Sequence, residues 1–260
     1  MLDLKQIRTI SANLKKSFLF KPYIYLYGGE PTLNPAFRKI VNYLDMNDYK
    51  LSIITNTANL KATLHVIRRT KNLINVTFSA NEKNMFNLKK YLLPKGKNIN
   101  LNIPIDILLR PRLDLEKYFM DLDKVGFNYI SIEHARLAPH NKYKKYLKKI
   151  TAINETLKMR SKTPIFFFPN IKIKDQKDYY LSRDFPQKYC RCLLPWVNCQ
   201  VRPDGQVSPC DEVDVFFGNI FSRSFRQIWF SKPYNDFRKR SLKNSKPYPI
   251  CQRCSHRIYY

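Results

Sequence analysis

Only six glycines occur in the 260 residues, and no cysteine precedes Cys190. Glycine usually makes up about 7% of a protein, so each one kept here marks a place that a side chain does not suit. Gly28 and Gly29 are adjacent, Gly205 falls in a Pro-Asp-Gly turn, and Gly218 precedes Asn219 and Ile220. Acids are scarce as well: 20 Asp+Glu against 47 Lys+Arg give a net charge of +27. No uncharged apolar run reaches the roughly 18 residues that a membrane span requires. The first sixteen residues, MLDLKQIRTISANLKK, lack the apolar block of a signal peptide and suggest a polar-faced helix. Together these absences point to a cytoplasmic protein with no membrane partner.

The chain can nevertheless build a core, with 44% hydrophobic and 14% aromatic residues. Six cysteines in a long chain without a secretory signal favour metal or cluster ligation over a disulfide scaffold. The positive field would attract polyanions, nucleic acid among them. Abundant Lys, Asn, Ile, Tyr and Phe also fit an A/T-rich coding sequence, although that bias does not account for the shortage of acids.

Short runs rich in β-branched and aromatic residues alternate with longer polar segments. Strands are expected at Tyr23–Tyr27, Leu51–Thr55, Asn75–Ser79, Leu101–Leu109, Tyr129–Glu133 and Pro164–Phe168. Helices are expected at Pro35–Leu44, Leu60–Thr70, Asn84–Leu92, Leu115–Val125 and Lys142–Lys158. This α/β alternation predicts a parallel sheet, either barrel-like or doubly wound. The continuous apolar character of LSIIT suggests burial on both faces. Functional groups in such folds gather at the C-terminal ends of the strands. The character changes near Ser182, after which come all six cysteines and both tryptophans. Residues 1–171 therefore read as the α/β part, 172–186 as a linker and 187–260 as a small cysteine-bearing domain.

The first strand runs directly into Gly28-Gly29-Glu30-Pro31-Thr32-Leu33, where two glycines allow close backbone approach and a carboxylate could accept from an ammonium group. This segment resembles the Gly-Gly-Glu-Pro segment of radical S-adenosylmethionine (SAM) enzymes. That resemblance implies a partial (β/α)6 barrel, with Gly28, Gly29 and Glu30 meeting the SAM amino group. Thr55-Asn56-Thr57 is similar to the Thr-Asn-Gly found at the next strand end of many members. Ser79 holds the position of a polar residue near the SAM ribose, or is a plain N-cap. Arg110 could pair with the SAM carboxylate, or lie on the surface as a strand-exit arginine. His134 also follows a strand and reads as structural.

The cysteines are Cys190, Cys192, Cys199, Cys210, Cys251 and Cys254, the last two forming a C-x₂-C pair. That spacing suits one metal centre, zinc or iron–sulfur; six thiols cannot complete two four-cysteine clusters. Pro203-Asp204-Gly205 predicts a hairpin turn between arms Gln200–Arg202 and Gln206–Ser208, bringing Cys192 and Cys210 together. The two tryptophans read as core. The order is cysteine, Pro195-Trp196, hairpin, Cys210, Gly218-Asn219-Ile220, Ile228-Trp229 and the terminal pair. It resembles the SPASM/twitch extension of radical SAM enzymes. By that resemblance Cys192, Cys210, Cys251 and Cys254 would hold one auxiliary 4Fe–4S cluster, with Cys190 or Cys199 as spare thiols or as a replacement for Cys192. The stretch Arg223–Arg257 carries ten Lys/Arg and one Asp, which makes a solvated face or a surface for an anionic partner.

The family's C-x₃-C-x₂-C loop, whose thiolates hold the cluster that binds SAM, has no counterpart in these residues. The barrel accordingly reads as one lacking its first strand. A start assigned at an internal methionine, a truncated remnant or a non-catalytic relative would each explain this, and the bared sheet edge favours the first two. In a complete enzyme, the resemblance implies cleavage of SAM to a 5′-deoxyadenosyl radical, supplied by an electron donor, and modification of a peptide or small molecule. These residues alone are expected to be inactive. The competing class is a non-catalytic module holding zinc or an iron–sulfur cluster, with RNA as a candidate partner.

Overall fold

Six parallel strands lie side by side in the order of the chain in the computed structural model: β1 (Ile24–Leu26), β2 (Leu51–Thr55), β3 (Leu73–Ser79), β4 (Ile99–Pro104), β5 (Ile130–Glu133) and β6 (Ile165–Phe168). The structure describes residues 1–84, 93–94, 96–134, 141–182, 192–242, 248, 250–251 and 254. Right-handed crossovers between strands placed in sequence order put every connecting helix on one face. The barrel-like alternative is therefore the one realised. The helices of this part are α2 (Phe37–Met46), α3 (Leu60–Arg69), the single turn α4 (Ile105–Leu108), α5 (Leu115–Asp123), α6 (Leu147–Arg160) and α7 (Ile173–Leu181). The expected helix at Asn84–Leu92 lies outside the described residues.

One-sided winding makes the two faces of the sheet unlike. Leu51, Ile53, Val76, Phe78, Leu101, Ile103, Ile130 and Ile132 are buried on the helix-covered face. Their alternates Ser52, Asn75, Thr77, Asn100, Asn102 and Ser131 make the other face polar, while Tyr25, Ile54 and Phe166 are exposed on it. Burial on both faces, expected for LSIIT, holds at Ser52, which is 1% exposed, and fails at Ile54, which keeps 39% of its surface. Five residues of mostly apolar sequence do not distinguish a doubly buried strand from a singly covered one.

Local chemistry explains the element boundaries. Asn59 and Asp114 accept from the backbone N–H groups of Ala62 and Lys117, which starts α3 and α5. The strand expected over Leu101–Leu109 stops at Pro104, and the apolar residues beyond it turn into α4. Pro104 also takes the N-cap position of that turn, while the unbroken apolar run hides the change of period. The expected helix at Lys142–Lys158 begins as a 3₁₀ segment, Asn141–Tyr146, before α6.

His134, directly after β5, is fully buried, and its Nδ1 lies 2.6 Å from the Tyr180 hydroxyl. Its ring is flanked by those of Phe167, Tyr179 and Tyr180. Burial pushes its pKa down to about 4.

Contacts divide the chain into two units, Tyr23–Ala135 with His140–Leu181, and Met1–Pro22 with Ser182–Tyr260. The second contains α1 (Leu4–Ser17), α8 (Leu194–Val197), the hairpin β7 (Gln200–Val201) and β8 (Val207–Ser208), α9 (Phe225–Trp229) and α10 (Lys232–Leu242). The sequence grouped α1 with the sheet; its contacts group it with the cysteine-bearing part. A capping box between Asp3 and Gln6 starts it, and Ile7, Ile10 and Leu14 form its buried stripe. Asn13 then staples it in place: Nδ2 donates to the carbonyls of Ile220 and Arg223, both at 3.0 Å, and Oδ1 accepts from Phe225 N–H at 2.6 Å.

The low pKa of His134 has a defined consequence. Between about pH 6.5 and pH 4 the unfolded chain binds a proton at this position that the folded chain refuses, so stability falls as pH falls through that window. From pH 7 to pH 5 the loss at this site amounts to about 2 kcal/mol. Urea unfolding at the two pH values should show it, and His134→Phe should remove that part of the pH dependence.

Candidate functional site

The C-terminal ends of β1 and β2 are tied together by one carboxylate. Gly28 and Gly29 adopt φ of +90° and +54°, a conformation L-residues rarely take, and a Cβ at either would meet nothing within 4 Å. Backbone angle, rather than space, demands glycine here. The chain then turns Glu30 inward, leaving it 7% exposed. Its Oε1 accepts from Thr32 N–H at 3.0 Å, from the Thr32 hydroxyl and from the Thr55 hydroxyl at 2.7 Å. Its Oε2 accepts from Asn56 N–H at 2.6 Å. The carboxylate expected to receive a ligand's ammonium group thus also joins the end of β1 to that of β2.

Sequence reasoning passed over Asn84, which extends the knot to β3. Its Nδ2 donates to Asn56 O at 2.7 Å and Ser79 O at 2.9 Å. The Asn81-x-x-Asn84 turn was the available signal, since Asn81 N–H donates to Asn84 Oδ1. Thr57, where the resemblance leads one to expect glycine, holds φ +63° and is strained there as a β-branched residue. Gly28, Gly29, Glu30, Thr55, Asn56 and Ser79 are therefore brought to one end of the sheet. Arg110 is paired with Glu82.

The concave face below that rim is a network of its own. Asn102 Nδ2 donates to Glu133 Oε2 at 2.9 Å and accepts, through Oδ1, from Ser131 at 2.9 Å. Asn100 Nδ2 donates to Asn75 Oδ1, and Asn75 Nδ2 to Thr77 at 3.1 Å. Asn100 Oδ1 is buried with no donor.

In the other unit Cys192, Cys210, Cys251 and Cys254 line one cavity, with walls that include Leu194, Pro195, Glu212, Phe237, Arg240 and Tyr248. Cys192 is fixed at both ends of its peptide, its N–H donating to Ser241 O at 3.1 Å and its carbonyl accepting from the Ser241 hydroxyl at 3.1 Å. The predicted hairpin pairs Val201 with Val207, and a Cβ at Gly205 would collide with Phe221 and Asn219. Burial pushes the Cys210 thiol up to about 12, while backbone N–H groups of Glu212 and Val213 aimed at the sulfur oppose that shift. Among the described residues no three His, Cys, Asp or Glu side chains come close enough to hold a single metal ion. Tetrahedral zinc needs its sulfurs within about 3.8 Å of one another, whereas an iron–sulfur cluster spreads its thiolates around a larger body. Four thiols, donors to sulfur and an almost wholly apolar wall fit the cluster.

Cys199 stands apart. Burial raises its thiol to about 12, and its neighbour is Arg238. Cys190 lies outside the described residues. The basic stretch also contains an inward-facing residue, since Arg238 is 2% exposed. Its guanidinium packs on Tyr234 and Trp229, 4.0 and 4.1 Å from the ring centres, and its Nε donates to Pro195 O at 2.9 Å. Trp196, expected in the core, keeps 43% of its surface.

A sequentially ordered parallel sheet with its polar groups at the C-terminal rim, joined to a four-cysteine hairpin unit, defines a radical SAM-type fold with an auxiliary-cluster domain. Residues 190–255 match SPASM, the iron–sulfur cluster-binding domain. SuiB of Streptococcus suis bound to S-adenosylmethionine is similar over 97% of this chain, at 14% identity and a TM-score of 0.61. SuiB bound to the precursor peptide SuiA is similar over 96%, at 15% identity and a TM-score of 0.58. The chain spans 64% of SuiB's length in both comparisons. No curated protein matches the chain in sequence. The chain has the radical SAM fold and carries a SPASM domain. Among the described residues, no helix is long and apolar enough to cross a membrane.

Two outcomes are expected. Glu30→Gln replaces an acceptor by a donor facing other donors and should destabilise the chain by about 1–3 kcal/mol, read by urea unfolding. Anaerobic reconstitution should load about four iron and four sulfide per chain. Alanine at Cys192, Cys210, Cys251 or Cys254 should abolish loading, while Cys199→Ala should leave it intact.

Proposed function

We propose that this chain is the SAM-binding and auxiliary-cluster part of a radical SAM enzyme that modifies a peptide or small molecule. The observation that carries the reading is the open-sided Gly28–Gly29 turn at the end of β1, knotted through Glu30 to Thr55 and Asn56. Backbone groups of Gly28 and Gly29 would receive the amino-acid end of SAM, and the β2 end would border its nucleoside. Glu30 holds both strand ends in register and offers its carboxylate to the ammonium. Cys192, Cys210, Cys251 and Cys254 would hold the auxiliary cluster. When bound, SAM supplies the radical that removes a substrate hydrogen, and the cluster a site for substrate or for an electron in transit. The apolar wall of Leu194, Pro195, Phe237 and Tyr248 keeps water from the thiolates.

An external electron donor and a substrate complete the set of partners. The exposed Lys232, Lys239 and Arg240 of α10 form the surface for an anionic one. Radical generation needs a cluster with an open iron, and no cysteine triad for it lies ahead of Cys190. The reconstituted chain should therefore bind SAM by calorimetry and, with dithionite, produce no 5′-deoxyadenosine by chromatography. Gly28→Val should weaken SAM at least about tenfold. Failure of the unaltered chain to bind millimolar SAM overturns the reading, and detection of 5′-deoxyadenosine overturns the expected inactivity.

A further inference from the structure

Arg238 is a buried cation with no carboxylate beside it among the described residues. It stands on α10 at 2% exposure, and its hydrogen bonds all go to neutral oxygens. Nε donates to Pro195 O at 2.9 Å, and Nη1 to Trp229 O at 2.5 Å and Asn235 Oδ1 at 2.8 Å. Nη2 is buried and meets no acceptor. The rings of Tyr234, Trp229 and Trp196 lie around the guanidinium, their centres 4.0, 4.1 and 5.5 Å from its carbon. The titratable groups that face it are the Tyr234 hydroxyl and the Cys199 thiol, and burial keeps both protonated. Ring faces and carbonyl dipoles reduce the cost of a dry charge, but only an opposite charge offsets it fully.

The place for an opposite charge lies just behind this group. Phe237 and Ser241, on the same helix, line the four-cysteine cavity, as does Pro195, whose carbonyl takes Nε. The Ser241 hydroxyl joins Arg238 O at 2.7 Å to Cys192 O at 3.1 Å. Tyr234, on which the guanidinium lies, is in turn acted on electrostatically by Cys210. Arg240 and Glu212 also line the cavity, with opposite charges and with solvent access that screens them. Arg238 has no such screening.

We propose that Arg238 is the internal counter-charge of the auxiliary cluster and raises its reduction potential, favouring its use in passing an electron. This rests on the reading of Cys192, Cys210, Cys251 and Cys254 as the cluster's ligands. Four thiolates around a 4Fe–4S core carry net negative charge, and reduction adds to it. A positive charge held in a dry setting therefore stabilises the reduced state more than the oxidised one. Arg238 acts across the wall formed by Pro195 and Ser241, as a tuning residue rather than a ligand.

The test uses the whole chain, reconstituted anaerobically with iron and sulfide, and reads the cluster's midpoint potential by EPR during titration with titanium(III) citrate. Arg238→Gln should lower the reduced-to-oxidised ratio at the original midpoint at least about tenfold, or about 59 mV for one electron. Arg238→Lys keeps the charge without the planar fork and should stay within about threefold of the unaltered chain. Asn235→Asp sets a carboxylate against Nη1 in place of a neutral acceptor and should shift the midpoint in the same direction as Arg238→Gln. Should Arg238→Gln fail to load, this variant decides the question. Arg226→Gln, at an exposed guanidinium on α9, should change nothing. An unchanged midpoint in a loaded Arg238→Gln or Asn235→Asp chain overturns the proposal. So does an equal fall in the Gln and Lys variants, which would make Arg238 a packing residue, or a loaded cluster that takes no electron from titanium(III) citrate. Iron and sulfide content separates the two readings. Four of each per unaltered chain without the expected shift sinks the role of Arg238 alone, and failure of that chain to load sinks the ligand assignment itself.

Discussion

One buried carboxylate organises the C-terminal end of the first two strands of the sheet. A parallel sheet is held along its strands by regular hydrogen bonds, but the bonds run out where the strands end and the chain turns away. There Glu30 takes four donors, two from the backbone and two from hydroxyls, and so connects two loops that share no ladder. Asn84 repeats the device one strand further on, through two carbonyls. A charged acceptor satisfied by neutral donors in a nearly dry place is a strong tie, and leaving any of those donors without it would be costly. The rim is therefore held together by its own side chains.

The cysteine-bearing unit solves a different problem with similar means. Its four candidate ligands come from three distant stretches of the chain, so each stretch must be fixed separately. Cys192 is gripped by Ser241 of α10, Cys210 by the amides that follow it, and Cys251 and Cys254 by their own short turn. Arg238 connects these parts by placing a guanidinium between aromatic rings and pinning the carbonyl of Pro195, close to Cys192 in sequence. A cation on an otherwise basic helix has thus become an internal strut.

Much of this was legible in the sequence, and the exceptions have physical causes. All six strands, the hairpin and the four cysteines of the cavity announce themselves through turn residues and spacing, which act locally. The sequence led one to expect Glu30 to face a ligand, whereas its role as a tie depends on Thr55 and Asn56, some 25 residues away. Pro104 ends β4 inside an apolar run with no period to mark it. Arg238 looked like one more surface charge because Trp229, one of its two rings, lies on α9 across the break at Phe230–Ser231. The polarity of the concave face was hidden by Ile54 and Phe166, apolar residues on a face that the one-sided winding leaves open.

The attachment of α1 to its unit carries a cost in time. Asn13 bonds to Phe225, 212 residues later. A ribosome extending the chain at about 5–20 residues per second needs roughly 10–40 s to deliver the second half of that contact. Through that interval the sheet can assemble in order, each strand finding the one just made. The first helix can do nothing but wait, with Ile7, Ile10 and Leu14 uncovered. A helix that leaves the tunnel so long before its partner is a natural client for a holding chaperone during synthesis.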